Sequence, residues 1–363
     1  MEYSSVPRYF PPSDLMDALK SLNCVDTLEI IGYSVEKRPI YSLTLGNGGF
    51  KILAWSQMHG NETTTTKAAL DLVDYLLNTS EGEGLLTQVQ LKLIFQLSPD
   101  GAMQYTRLNA NKVDLNRDAV TQSQPEMKAL IKTYQAFNPN LCLNLHGQRT
   151  IFTAGATDKP ATISFLAPAA NEEREVTPTR LIAMQCIAAM ANSFPEEEHW
   201  GIGRYDDTFN INCTGDYFTA KNTPTILFEA GHYPGDYPRT YTRKLIFAAL
   251  VTCLKSAVNQ TYKSFTFQDY IAIPNNGNNL RDVEIQNVTI VNNGNLTTTS
   301  LFVQYKEVLQ DKKIQLLPEY VGADPSLKGL RVIDALNKNQ TNPINIVDSS
   351  DKTIKHLQSF IEF

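Results

Sequence analysis

Met58-His59-Gly60-Asn61-Glu62 is the stretch from which this 363-residue chain is read. Ahead of it, Phe50-Lys51-Ile52-Leu53-Ala54-Trp55 is short and apolar, the pattern of a buried strand. Behind it, residues 67–77 repeat apolar side chains at intervals of three and four, which predicts a helix ending near Asn78. His59 and Glu62 therefore fall where a strand hands over to a helix. A spacing of three puts both side chains on one side of a helical turn. An imidazole and a carboxylate held that way are two ligands that zinc accepts, and Gly60 is expected to let the backbone turn tightly between them. Alone, the pair fits a surface turn with a capping acid equally well, so the other strand ends decide.

Working outward, residues 26–35 and 39–46 read as two strands, and Asn47-Gly48-Gly49 as a hairpin-type turn into the Phe50 strand. A short amphipathic helix over 13–21 precedes them. Residues 89–97 form a further strand, stopped by Ser98-Pro99-Asp100-Gly101 and followed by a polar stretch with Arg107 and Val113-Asp114-Leu115-Asn116-Arg117-Asp118. A helix over 126–137 leads to the buried strand 140–145, which delivers His146. After a helix over 179–193 and a polar, aromatic segment at 197–222, the strand Thr225-Ile226-Leu227-Phe228 ends in Glu229. The last long helix is expected over 242–258. Alternating strands and helices predict an α/β fold: a mixed, largely parallel sheet with helices on both faces. Beyond about residue 262 the chain turns β-branched, with Asn276-Gly277 and Asn293-Gly294 as turn signals, and reads as a small β-rich appendage. Thr353–Phe363 reads as a strand or a short helix.

In such a sheet, ligands gather outside the carboxyl ends of the strands. Here these ends carry His59 with Glu62, Arg107 with Asn116 and Arg117, His146, and Glu229. Two imidazoles and one carboxylate make a three-ligand zinc site with an open fourth position. Glu229 is then a nearby carboxylate able to take a proton from water on the metal. Arg107 and Arg117 suit an oxyanion and a substrate carboxylate, with Asn116 adding neutral hydrogen bonds. His232 lies past Gly231 in a Pro-Gly turn and reads as structural. His199 and His356 have no metal-like neighbours, and Arg149 and Arg204 divide evenly between cleft and plain surface.

The formal net charge of -6 argues against nucleic acid or an anionic membrane as the main partner. No run of about 18 apolar residues occurs, so no membrane-spanning helix is expected. Met1-Glu2-Tyr3-Ser4-Ser5-Val6-Pro7 lacks the features of a signal peptide. The five cysteines are scattered, without C-x-x-C spacing, which fits a reducing compartment and no disulfide framework. A cytoplasmic location is the expectation.

The motifs H-x-x-E, P-D-G followed by an arginine, D-x-N-R, a strand-end His and a strand-end Glu occur here in the order found in zinc carboxypeptidases of the M14 type. The chain resembles that family over roughly residues 25–258. With the change in character near residue 262, the chain is expected to divide into a carboxypeptidase-like catalytic domain over 1–260 and a small β-rich appendage over 261–363. The resemblance implies one zinc ion per chain held by His59, Glu62 and His146, and Glu229 as general base for a zinc-bound water. It further implies Arg107 polarising the scissile carbonyl, Asn116 and Arg117 gripping the C-terminal carboxylate, and loss of one C-terminal residue from a peptide. A mobile tyrosine of the family would correspond to Tyr205 or Tyr217. The residue lining the specificity pocket falls near Thr214 or Asp216; Asp216 would favour a basic terminal residue. D-L-N-R also resembles the succinylglutamate desuccinylase and aspartoacylase branch, so an N-acyl amino-acid deacylase is the alternative, with a cell-wall peptide amidase as a peptidase variant.

Overall fold

The computed structural model describes residues 7–292, 295–338 and 344–345. Helix α1 (Pro12–Ser21) leads into strands β1 (Leu28–Tyr33), β2 (Pro39–Leu45) and β3 (Phe50–Ser56). Helices α2 (Thr63–Asn78) and α3 (Ser80–Leu86) follow, then β4 (Val89–Phe95), α4 (Pro99–Gln104) and α5 (Pro125–Phe137). Next come β5 (Leu141–Gly147), β6 (Thr153–Ala154), β7 (Ala161–Leu166), α6 (Pro178–Asn192), β8 (Gly201–Arg204), α7 (Thr214–Ala220) and β9 (Thr225–Ala230). Helices α8 (Thr240–Asn259) and α9 (Phe267–Ile271) close this half.

The main sheet runs β1-β2-β4-β3-β5-β9-β7-β8. Its centre is parallel, β4 with β3, β3 with β5 and β5 with β9, while β2 and β7 join antiparallel on either side. Alternation along each strand divides the core between two faces. Ile52 and Ala54 pack on the α2, α6 and α8 side, whereas Leu53 and Trp55 pack on the side of α5 and α7. There Trp55 meets Phe218 edge-on at 5.4 Å, and Phe218 stacks on Tyr134 at 4.1 Å. With both faces covered, β5 and β9 are buried almost from end to end, as a central parallel strand must be.

The hairpin expected at Asn47-Gly48-Gly49 does not form. β4 inserts between β2 and β3, and the glycine turn instead lies against the chain entering β4. The Gly48 amide donates to Val89 O at 3.1 Å, and a Cβ on Gly48 would come within 1.8 Å of the Gln88 carbonyl carbon. Pro99-Asp100-Gly101 is likewise more than a strand stop, since it opens α4. Asp100 is buried and accepts from Ser34 Oγ at 2.7 Å, the Glu36 amide at 3.0 Å and Arg38 at 2.6 Å, fixing the β1–β2 turn.

The C-terminal sheet comprises β11 (Leu280–Asn292), β12 (Asn295–Gln310), β13 (Lys313–Gly322), β14 (Lys328–Asp334) and β15 (Ile344–Asn345), preceded by the two-residue β10 (Asn276–Gly277). Asn276-Gly277, expected as a turn, is that short strand and pairs with β6. The tight turn lies instead at Asp311-Lys312, both with positive φ, between β12 and β13. The Asn293-Gly294 turn and the element expected over Thr353–Phe363 lie outside the described residues. A separate apolar cluster around Val283, Ile285, Leu301, Val303 and Ile333 fills this sheet's inner face, with Tyr237 from the main unit packed against it.

Candidate metal centre

Because β3, β5 and β9 run parallel side by side, their carboxyl ends open on one edge. His146 and Glu229 are direct neighbours in the β5–β9 register. His59 and Glu62 lie in the turn between β3 and α2, closed by the Glu62 amide donating to His59 O at 3.1 Å. Gly60 is needed here for proximity: a Cβ would lie 1.9 Å from the Gly101 carbonyl carbon, where the turn crosses α4.

Ligand atoms of His59, Glu62 and His146 converge, all within 4.8 Å of one another. Glu62 Oε1 is 2.8 Å from His59 Nδ1, and Glu62 Oε2 is 2.8 Å from His146 Nδ1. The two Nδ1 atoms are 3.1 Å apart. Both imidazoles are 2 % exposed. Burial works against a proton on His59, but the carboxylates of Glu62 and Asp114 outweigh it and bring its pKa up to about 9. Burial likewise pulls the Glu62 carboxyl upward, yet the two imidazoles hold it well below the usual range. Two nitrogens and an oxygen converging in a buried pocket suit a divalent metal.

Asp114 is the residue the sequence reading passed over. Its Oδ1 lies 3.0 Å from His59 Nε2, which leaves Nδ1 to face Glu62 and His146. Its Oδ2 takes Arg107 Nη2 at 3.0 Å and Nε at 3.2 Å, and its Oδ1 also accepts the Asn116 amide at 2.9 Å. The signal was present as the first letter of D-L-N-R, but an acid beside Arg reads as a solvated turn without the fold.

Glu229 is 8 % exposed, and its Oε2 has no hydrogen-bond partner among the described residues. Burial first, then the negative Glu62, push this carboxyl well above the ordinary range. Arg107 also reaches Glu62 Oε1 at 3.4 Å, so it stands at the rim of the cluster. Asn116 Oδ1 accepts from the Thr214 amide at 3.0 Å and hydroxyl at 2.8 Å, joining the D-L-N-R turn to α7. Arg117 is exposed and donates to Asn116 O at 2.7 Å and Cys213 Sγ at 3.1 Å, both neutral.

Of the two tyrosines, Tyr205 is near enough that, after burial, the charges of Glu229 and Glu62 raise its pKa, and its ring meets Phe152 edge-on at 5.4 Å. Tyr217 packs on Phe218 instead. Asp216 is buried in the first turn of α7, and burial lifts its carboxyl to about 7 against the opposing charges of Arg180 and Arg117. Thr214 is taken up by Asn116. His232 is buried apart from the ligand cluster, and Arg149 pairs with Glu319 at 2.8 Å. Arg204 lies over the Tyr270 ring. All five cysteines are free thiols. No described helix is long and apolar enough to cross a membrane.

Comparison with known proteins agrees with this geometry. The zinc carboxypeptidase family profile matches residues 14–118. A probable carboxypeptidase 2 of Arthroderma benhamiae is 28% identical over 113 residues, 30% of this chain and 21% of that protein. Carboxypeptidase SOL1 of Arabidopsis thaliana is 28% identical over 163 residues, 38% of this chain and 33% of its own. The match thus spans about a fifth to a third of these relatives' length. The fold extends the likeness. A metallo-carboxypeptidase from Pseudomonas aeruginosa, solved with (2-guanidinoethylmercapto)succinic acid, superposes with a TM-score of 0.55 at 18% identity, covering 70% of this chain and 71% of that one. Bovine thrombin-activatable fibrinolysis inhibitor, solved with a tick carboxypeptidase inhibitor, gives 0.55 at 16% identity, covering 72% and 100%. The profile match over residues 14–118 and the shared fold make this chain similar to zinc carboxypeptidases.

Proposed function

We propose that the chain is a zinc-dependent carboxypeptidase that hydrolyses the last peptide bond of a substrate with a free C-terminal carboxylate. The observation that carries this is the juxtaposition of the His59–Glu62–His146 cluster with Glu229 on the adjacent strand, whose buried Oε2 has no hydrogen-bond partner among the described residues. His59, Glu62 and His146 would hold the ion. When bound, zinc supplies Lewis acidity towards a carbonyl oxygen and lowers the pKa of water.

The chain's own groups then divide the remaining work. Glu229 takes a proton from the attacking water and returns it to the leaving amine, from its place beside His146 at the end of the adjacent strand. Arg107 presents a guanidinium to charge developing on the carbonyl oxygen. Asn116 and Arg117 bind the terminal carboxylate, and Arg117 is suited to this because its partners here are neutral. Tyr205, just past β8, closes over the substrate, and Asp216 selects a basic or amine-bearing terminal side chain. Residues 1–260 would form the catalytic domain and 261–363 the appended one.

Zinc-loaded protein offered a pool of free-C-terminus peptides, muropeptides and N-acyl amino acids tests this, with products read by mass spectrometry and a chelated control. Chelator-sensitive loss of single C-terminal residues is expected, and release of an acyl acid would move the protein to the deacylase alternative. Glu229→Gln should keep its zinc while losing on the order of 10²–10⁴ in turnover. Undiminished turnover in that variant would remove Glu229 from the mechanism.

A further inference from the structure

Gln148 follows His146 by two residues, is 5 % exposed, and reaches across the chain that carries Glu229. In the sheet β9 lies between β5 and β7. Glu229 is therefore flanked on both sides, by His146 beside it on β5 and by Ser164 opposite it on β7. The Gln148 amide spans from one flank to the other. Its Nε2 donates to Ala161 O at 2.6 Å and to Ser164 Oγ at 3.1 Å, both on β7. Its backbone N–H donates to Ala230 O at 2.9 Å, carrying the β5–β9 pairing past His146 and Glu229.

A third side chain closes the arrangement. Asn276, on β10, donates from Nδ2 to Gln148 Oε1 at 3.1 Å, and its Oδ1 accepts from the Ser164 hydroxyl at 3.0 Å. Gln148, Ser164 and Asn276 thus form a ring in which each donates to the next. Ser164 is fully buried, and Asn276 is itself fixed by pairing with Ala154 of β6. A buried polar network in which every member is paired holds one geometry.

Two glycines show that the backbone is shaped around this ring. A Cβ on Gly231, two residues past Glu229, would fall 2.1 Å from Ala161 O and 2.7 Å from Gln148 Nε2, the two ends of one of these hydrogen bonds. A Cβ on Gly203 of β8 would fall 1.8 Å from Asn276 Oδ1. Neither glycine has a positive φ, so space is what excludes a side chain at both.

We propose that the Gln148–Ser164–Asn276 ring is a clamp across the end of β9, and that Gln148 is the positioning residue that keeps Glu229 in register beside His146. None of the ring's hydrogen bonds goes to Glu229, whose Oε2 keeps no partner among the described residues. The clamp acts through the backbone and leaves the carboxylate free for a substrate. The inference rests on Glu229 as the proton-transfer group.

The test uses the full-length, zinc-loaded chain with Gln148→Met, Ser164→Ala, Asn276→Ala and the double variant Gln148→Met/Asn276→Ala. Zinc content is measured, with kcat and KM on the best peptide of the substrate pool. Hydrogen exchange of peptides covering 225–235 is compared with the rest of the chain. Gln148→Met keeps the length of the side chain and none of its hydrogen bonds. It should retain zinc, speed exchange in 225–235 selectively, and lower kcat roughly 10- to 100-fold with KM within about threefold. Ser164→Ala removes one link and leaves Gln148 its bonds to Ala161 and Asn276. It should move exchange and kcat the same way by a smaller factor, and it carries the comparison if Gln148→Met does not fold. Because the ring acts as a unit, the double variant should lose no more kcat than Gln148→Met alone. Losses that multiply in the double variant would mean separate packing effects and no clamp. Wild-type exchange and kcat in Gln148→Met and Ser164→Ala, or zinc lost in step with kcat, would equally overturn it. A wild-type chain that cleaves nothing in the pool defeats the functional reading, whereas the exchange comparison still decides whether the ring holds the end of β9.

Discussion

Asp114 Oδ1 stands 3.0 Å from His59 Nε2, and the other oxygen of the same carboxylate holds Arg107. One turn residue thus orients the imidazole of the candidate metal cluster and the cation at its rim. The arrangement predicts what its removal does. Asp114→Asn keeps the shape but loses the charge that makes His59 a better ligand, and zinc affinity should fall roughly 10- to 100-fold. Competition with a chelator of known affinity measures it. Unchanged affinity would mean that Asp114 serves Arg107 alone.

Gly60 and Gly101 touch backbone to backbone, with no room for a methyl group. Gly60→Ala must push α4 away from the metal turn, and with it the segment leading to Arg107. Overpacking of this kind costs about 1–3 kcal/mol. The expected result is a lower melting temperature and weaker zinc binding together. A Gly60→Ala protein as stable and as zinc-avid as its parent would show that the two turns separate freely.

The strand ends are legible in the sequence for a physical reason. A strand buried on both faces is mostly apolar, so the polar residues near its end, His146 after Leu145 and Glu229 after Phe228, stand out as places where chemistry can begin. H-x-x-E is legible because the helical period after it is strong. Neighbour relations are not legible: nothing in Asn47-Gly48-Gly49 says that β4 will pass between β2 and β3, since that order is set by distant pairing. Asn276-Gly277 carries a turn signal but is captured by β6, tertiary pairing overriding local preference. Asp114 and Asn276 escape a linear reading because their partners are far away in sequence, 55 residues to His59 and 128 to Gln148.

Asp216 carries a pH dependence with a definite sign. Burial raises its folded pKa to about 7 from an ordinary 3.8, so the folded chain binds this proton more tightly than the unfolded one. Stability from this group is full below the unfolded value, falls as pH rises between about 4 and 7, and levels off above. Asp216→Asn removes the buried charge and should stabilise the protein at pH 8 by on the order of 2–4 kcal/mol, with little effect at pH 4. Denaturant unfolding at the two pH values checks it. The same variant should lose any preference for C-terminal Lys or Arg; if selectivity survives, Asp216 is a buried acid without a role in recognition.

Arg117 closes the argument about substrate, because an exposed guanidinium whose partners are a carbonyl and a thiol has its charge available to a ligand. Asn116, beside it, is held by Thr214 and cannot swing away without breaking two hydrogen bonds. A planar carboxylate meeting that pair gains a charge-assisted, bidentate contact that an amide cannot reproduce. Wild-type protein should therefore cleave a free-acid peptide far better than its C-terminally amidated twin. Arg117→Ala should narrow that ratio by roughly 100-fold, chiefly through KM for the free acid. Arg117→Lys should recover only part of it, since an ammonium supplies the charge but not the fork. The measurement is kcat/KM for both peptides on all three proteins. If Arg117→Ala leaves the ratio intact, the terminal carboxylate is bound elsewhere, and Arg107 is the next guanidinium to substitute.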